Sequence, residues 1–332
     1  MRVRRRGLSL LLGVLVITVL WWAWGRATAN DRRLALRSDP DVPSASAEQG
    51  SVRVLAWNIA HGRGDAEPGL LRNWRGSRPE RLVRLRRIAN VIRNVDADVV
   101  VLNEVDFDAG WSHGVDQAEF LADATGYPFR VEQRNFDVRI PFESWEFGNA
   151  LLSRLPVEEV RRVELPAYSG LEEWLVGSKE AALVRLGTAS APLAVVPVHL
   201  SFRSEPTRRA AVAVFDSLAR ATTEPLILAG DFNTAPPGWP AVADTTALGE
   251  LLELGWTSPR AEGPPTRDEL TFPTYAPMES RDWILAEPPL RIIESRVLRD
   301  AERLSDHAPV VAVVSLGPSA DSSTGPSRSS EE

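Results

Sequence analysis

Packed α/β layers are the architecture to which this chain of 332 residues points. Apolar runs of strand length alternate with amphipathic stretches of helical spacing through most of its length. Several of the apolar runs are uninterrupted, as strands buried on both faces are. The stretch from about Ser51 to about Leu316 is long enough for one large domain, and no internal repeat of solenoid period breaks it.

In chain order, the first element is an export signal. Arg2, Arg4, Arg5 and Arg6 precede an apolar run from Leu8 to Trp24, which carries Trp21, Trp22 and Trp24 at its far end. Arginines stay on the cytoplasmic side and tryptophans favour the interface, so the N-terminus is expected inside and the C-terminus outside. With Gly7 and Gly25 the run approaches the length a bilayer core requires. Ala27-Thr28-Ala29 offers a small-residue cleavage site, so residues 1–29 read as a signal-anchor or a cleaved signal peptide. The length and the tryptophans favour the anchor. The domain beyond is expected outside the cytoplasm, anchored to the membrane or, after cleavage, secreted.

Residues 30–50 mix Arg, Asp, Ser, Pro and Ala without apolar period and read as a flexible linker. Residues 51–316 follow as a single domain, expected to be monomeric, and 317–332 are too polar to bury anything and read as a disordered tail. Within the domain, Val52–Trp57 reads as a strand. Ser77-Arg78-Pro79-Glu80 fits a capping box, and Leu82, Leu85, Ile88 and Ile92 continue it at helical spacing. That spacing puts Arg81, Arg84 and Arg87 on a more solvated face. Asp98–Leu102, Leu193–Val198 and Leu226–Ala229 are buried-strand signatures, and Thr207–Ala219 is an amphipathic helix. Pro192 and Pro197 suggest a strand that is short or near an edge.

Composition removes several function classes. Cys is absent, which excludes thiol catalysis, thiolate metal sites and disulfides. A net charge of −7, with Lys179 the only lysine, provides no global basic field to draw nucleic acid. No basic run interleaved with aromatics marks a nucleic-acid track. A serine esterase would need a Gly-x-Ser-x-Gly turn, and none is present.

The informative pattern lies where apolar runs end. Asn58, Glu104, His199 and the set Asp231 and Asn233 each close or follow a strand signature. Asp282 precedes Trp283-Ile284-Leu285, and Asp306-His307 introduces Ala308–Val314. Singly, each has an ordinary explanation: Asn58 and Asn233 as turn formers, Asp231 and Asp306 as strand or turn terminators, His199 as a satisfied semi-buried histidine. Jointly they do not, because turn chemistry gives no reason for acid, amide and imidazole to recur at strand ends. Ligands of layered α/β folds bind where such ends open into loops.

Ala56-Trp57-Asn58-Ile59, Leu102-Asn103-Glu104, Val198-His199-Leu200, Gly230-Asp231-Phe232-Asn233-Thr234 and Ser305-Asp306-His307-Ala308-Pro309 resemble, in this order, the motifs of the endonuclease/exonuclease/phosphatase superfamily. Gly148–Arg154 resembles its middle segment. The resemblance spans Arg53 to Val314 and implies a four-layer α/β sandwich, with two packed mixed sheets and helices on both outer faces. Two departures stand out: Arg281 where a hydrophobic residue is usual, and Trp283 where Tyr is frequent. The insert Phe107–Ala118 has no clear counterpart, and it and His61 read equally as substrate contacts or as mobile surface loop.

The implied chemistry is phosphoester hydrolysis, which needs an activated water, a counter-charge for phosphoryl oxygens and help for the leaving oxygen. Mg²⁺, with Mn²⁺ as alternative, supplies the counter-charge and prefers carboxylate and amide oxygen. By the resemblance, Glu104 and Asn58 hold the metal, and Asp306 ligates or positions it. Asp231 handles the water with Asn233, His199 and His307 contact the phosphate, and Asp282 orients His307. Asn149 is expected beside the scissile phosphate. Whether Asp231 or His307 is the base stays open. The substrate could be nucleic acid, a phospholipid head group or a small phosphorylated metabolite. The rival class is a cell-surface binding module that keeps the fold without the chemistry.

Overall fold

The structure, a computed structural model, describes residues 2–44, 50–64, 72–74, 76–140, 143–170, 179–188, 192–301 and 303–317. Among these residues twelve strands form two mixed sheets. They are β1 (Leu34–Ser38), β2 (Ser51–Asn58), β3 (Val99–Ala109), β4 (Phe129–Ile140), β5 (Glu143–Ser153), β6 (Val157–Glu164), β7 (Glu180–Leu186), β8 (Leu193–His199), β9 (Leu226–Asp231), β10 (Asp282–Ala286), β11 (Arg291–Val297) and β12 (Val310–Ser315). The larger sheet runs β1-β4-β5-β3-β2-β12-β11 and the smaller β10-β9-β8-β7-β6. Each contains one parallel pair, β2 with β3 and β8 with β9.

Strand periodicity decides the layers. In β2, Val52, Val54 and Ala56 face the core between the sheets, while Leu55 and Trp57 face the opposite side. That outer side is covered by α2 (Arg78–Val95) and α3 (Gln117–Thr125). On the smaller sheet, Val195, Ile227 and Ala229 meet the inter-sheet core, and Val196, Leu226 and Leu228 meet the layer of α4 (Glu205–Ala221) and α5 (Ala247–Glu253). The result is the expected four-layer sandwich. The expected capping box starts α2: the Ser77 hydroxyl accepts from the Glu80 N–H, and the Glu80 carboxylate accepts from the Ser77 N–H at 2.7 Å.

Three expectations need correction. Pro197 does not mark an edge: β8 is interior, but its pairing with β7 ends at Val195, so at Pro197 only β9 is a neighbour. Within the expected linker of residues 30–50, Leu34–Ser38 forms β1, paired antiparallel with β4, because Leu34 packs on the inter-sheet core and Arg33 pairs with the buried Glu180 at 2.6 Å. Arg81 is not solvated. It is 2% exposed, and its guanidinium donates to the carbonyls of His61, Asn73 and Trp111.

Residues 2–32 form the helix α1 (Arg2–Arg32), whose far end lies against Arg139 of β4 at Gly25. Its side chains are described from Ser9 to Gly25, and the large apolar ones from Leu10 to Trp24 are mostly exposed. Among the described residues no helix is long and apolar enough to cross a membrane. The expected polar tail lies, beyond Gly317, outside the described residues.

Candidate active site

Register brings the predicted residues together. In the larger sheet Asn58 pairs with Asn103, Asn103 with Asn149, and Asn149 with Gln133, so four amides form one row across β2, β3, β5 and β4. In the smaller sheet His199 pairs with Asp231 and Asp231 with Asp282, a row of titratable groups across β8, β9 and β10. The rows meet where the two sheets open at the same end. The Asn58 amide donates to Asp231 Oδ2 at 3.0 Å, and Asn103 Oδ1 accepts from the Asp231 N–H at 2.9 Å. Asn103 Nδ2 also donates to Asn149 Oδ1 at 2.8 Å and to the Val198 carbonyl at 3.0 Å.

Gly230 makes this approach possible. Its φ is 136°, and a Cβ there would stand 2.2 Å from the Val198 carbonyl oxygen and 2.8 Å from Asn103 Oδ1. Asn233, at φ 52°, follows in a turn where its N–H donates to Asp231 Oδ1 at 2.9 Å. Asp231 thus accepts on both oxygens and is 1% exposed. Burial pushes its pKa up, against the pull of His307.

His307 stands at the centre of the charges. Its Nδ1 bonds Asp282 Oδ2 at 2.9 Å, and its Nε2 faces Asp231 Oδ2 across 3.8 Å. Burial works against the imidazolium, but Asp282, Asp231 and Asp306 outweigh it and raise the pKa to about 10. His199 Nε2 lies 3.9 Å from the same Asp231 oxygen, yet burial prevails there and lowers its pKa. The two histidines therefore differ at neutral pH: His307 carries charge and His199 is the neutral one. The turn holding His307 is tied to β2, since Trp57 Nε1 donates to the His307 carbonyl at 2.9 Å and Ser305 Oγ to the Asn58 carbonyl at 2.6 Å.

Ligating atoms of Asp231, Asp282 and His307 lie within 4.8 Å of one another. Because the Asp282–His307 bond closes one side of that triangle, the group suits proton handling better than ion binding. Glu104 is the more open carboxylate. It sits at φ 51° in a bulge of β3, where pairing with β5 skips from Asn103 to Val105, and its side chain is 22% exposed. Burial opposes its charge, but His61, His199, Arg63 and His307 hold its pKa well below the usual carboxylate range.

Asp306, expected to ligate or position the metal, is paired with Arg63. Arg63 Nη2 donates to its Oδ2 at 2.5 Å, while Arg63 Nη1 stands 3.7 Å from Glu104. Asn149 is locked as well, accepting from Asn103 and donating to Gln133 Oε1 at 2.8 Å, so it braces the amide row. Sequence reasoning missed Asn103, although it adjoins Glu104 in a quoted motif. It also missed Gln133, which only strand register reveals, and Arg63. The segment around Trp111 is built rather than mobile: Trp111 Nε1 donates to Asp106 at 3.1 Å, and Asp106 and Gln117 are fully buried. Of the departures noted, Trp283 is buried and donates to the Thr234 carbonyl, and Arg281 stacks over Phe272.

The model of the Endonuclease/Exonuclease/phosphatase family matches residues 55–307. A search of curated proteins finds no match. Among solved structures, an endonuclease/exonuclease/phosphatase from Beutenbergia cavernae DSM 12333 is similar at 25% identity and a TM-score of 0.61, covering 81% of this chain and 72% of that one. The mannosyl-6-phosphatase of Bacteroides thetaiotaomicron VPI-5482 shares the fold at 16% identity and a TM-score of 0.57, covering 79% of this chain and 99% of that one. The human Nocturnin catalytic domain with bound sulfate does so at 18% identity and 0.55, over 83% and 97%. With the family's model covering most of the folded chain and the two polar rows in register, the chain belongs to the endonuclease/exonuclease/phosphatase family, whose members are phosphoesterases.

Proposed function

We propose that this chain is a Mg²⁺-dependent phosphoester hydrolase, with Mn²⁺ as a functional substitute, held by its N-terminal helix with the catalytic domain outside the cytoplasm. The observation that carries the reading is the convergence on Asp231: a charged His307 at 3.8 Å, a neutral His199 at 3.9 Å, and an amide from the opposite sheet at 3.0 Å. The gaps to both imidazoles exceed hydrogen-bond length, so neither ring is committed to a direct bond with Asp231.

In this reading Asp231 polarises the attacking water, and its raised pKa makes it a better proton acceptor than an ordinary aspartate. His307, kept protonated by Asp282, donates from Nε2 to a phosphoryl or leaving oxygen. His199 offers a neutral hydrogen bond, and Asn233 holds the Asp231 carboxylate in place. The donor set fits a hard cation: Glu104 is ionised and partly open, and the Asn58 side-chain Oδ1, which accepts from the Ala60 N–H at 3.0 Å, keeps a second lone pair. When bound there, the metal supplies counter-charge for the phosphoryl oxygens.

The test is hydrolysis by the purified full chain, with and without Mg²⁺, of bis-p-nitrophenyl phosphate, p-nitrophenyl phosphate, DNA, RNA, sphingomyelin and sugar phosphates. Mg²⁺-dependent turnover is expected on at least one, with His307→Gln lowering kcat by roughly 10²–10³. Absence of metal-dependent turnover on every substrate, with His307→Gln indistinguishable from wild type, would sink the reading.

A further inference from the structure

A second histidine–carboxylate pair flanks the site, and no step proposed above uses it. His61 lies in the 3-10 turn Ala60–Gly62, 6% exposed, with its Nδ1 2.7 Å from Asp106 Oδ1. Asp106 is itself fully buried and held as an acceptor by Trp111 Nε1 at 3.1 Å and Gln117 Nε2 at 3.1 Å. An acceptor on that side requires Nδ1 to carry the hydrogen, so the neutral ring directs its Nε2 lone pair the other way. In that direction, 3.4 Å from Nε2, stands Glu104 Oε2. Facing an ionised carboxylate, Nε2 carries either a second proton or, in the loaded site, a metal cation in the proton's place.

The ring cannot turn away. Its backbone is in the left-handed region at φ 55° and ψ 22°, a costly conformation for histidine. The His61 carbonyl is held by Arg81 and by Gln117 Nε2 at 2.8 Å. Phe147 packs edge-on at 5.0 Å between ring centroids, and Trp111 at 6.0 Å. Carboxylate, imidazole and carboxylate in line, with a strained backbone over-determined by its surroundings, is how proteins orient a metal-ligating histidine. Asp306, the other acid expected at the metal, already has a guanidinium as its counter-charge.

We infer that His61 Nε2 is a nitrogen ligand to the same ion that Glu104 holds, with Asp106 fixing its tautomer and Arg63 neutralising Asp306 in its stead. The 3.4 Å separation is compatible with two donors each about 2.1 Å from one ion. An imidazole in the set shifts preference from Mg²⁺ toward Mn²⁺ and later divalent metals. This inference rests on the metal-dependent reading above.

The experiment is electron spin-echo envelope modulation on the full chain loaded with Mn²⁺, with occupancy read separately from the loss of free-ion signal. Wild type should show ¹⁴N modulation from directly bound imidazole. His61→Gly, chosen because glycine accepts φ 55°, should lose it and regain it on addition of free imidazole. Single His199→Gln and His307→Gln variants should keep it. Asp106→Asn should weaken Mn²⁺ binding about 10–100-fold. If Mn²⁺ binds wild type without ¹⁴N modulation, or if the modulation survives in His61→Gly, this inference falls alone. If no Mn²⁺ binds wild type, the metal-dependent reading falls with it.

Discussion

Among single residues, His307 has the most directly measurable property. Its pKa near 10 exceeds the ordinary 6.5 because three carboxylates outweigh burial, with Asp282 foremost. If the protonated ring is the phosphate's donor, the alkaline limb of kcat should lie near pH 10. Asp282→Asn should move that limb to lower pH by at least one unit, since it removes both the charge and the anionic acceptor. A limb that stays in place would assign it to another group. The same shift ties stability to pH: the stabilisation from the folded-state pKa is fully present below about 6.5 and is lost as pH rises towards 10. Glu104 gives the opposite dependence. Its depressed pKa stabilises the fold above the ordinary carboxylate range and ceases to do so in strong acid.

At the scale of elements, the site depends on how strands end and on what holds the loops beyond them. Gly230→Ala forces a Cβ into the Val198 carbonyl at 2.2 Å and into a left-handed-side φ, so it should destabilise the domain by roughly 1–3 kcal/mol in denaturant unfolding and displace Asp231. Arg81→Met tests the link from α2 to the loop bearing His61. It removes a donor from the His61 carbonyl, which keeps Gln117, and from the partly buried carbonyls of Asn73 and Trp111, at a cost of about 1–3 kcal/mol, and should weaken metal binding more than it lowers kcat at saturating metal. Equal affinity for metal in Arg81→Met and wild type would uncouple helix from loop. This link also marks a limit of sequence reasoning. Helical spacing correctly put Leu85, Ile88 and Ile92 on the inner face of α2, but a charged residue was assigned to water because nothing local reveals three carbonyls waiting for it. The strand ends were legible because polar residues interrupt apolar runs there. Gln133 was not, since its place in the amide row exists only through the pairing of β4 with β5.

For the whole molecule, alternation of apolar runs sufficed to predict layers, and the ordered motifs specified which layers. The join between helix and domain was not legible, because Leu34–Ser38 becomes a strand only when β4 offers an edge. That join matters for localisation. One residue, Arg33, separates the end of α1 from β1, and Arg33 is itself bound to Glu180. A retained anchor would therefore hold the domain close to the bilayer without a long tether. The run from Gly7 to Gly25 rises about 28 Å at ~1.5 Å per residue, near the thickness of a hydrocarbon core. Leu10, Leu11, Leu15 and Leu20 are all exposed, so the proposed anchor is decided by fractionation. The full chain should accordingly sediment with membranes, resist an alkaline carbonate wash, and be shaved by protease added to the extracytoplasmic side. Deletion of residues 1–29 should release it with β1 intact and catalysis preserved on a soluble substrate. Mass spectrometry of the native chain should find an N-terminus ahead of the apolar run. A terminus directly after Ala29, with the protein in the soluble extracytoplasmic fraction, would replace the anchor with a cleaved signal. Recovery of the intact chain from the cytosol would remove the membrane from the account altogether.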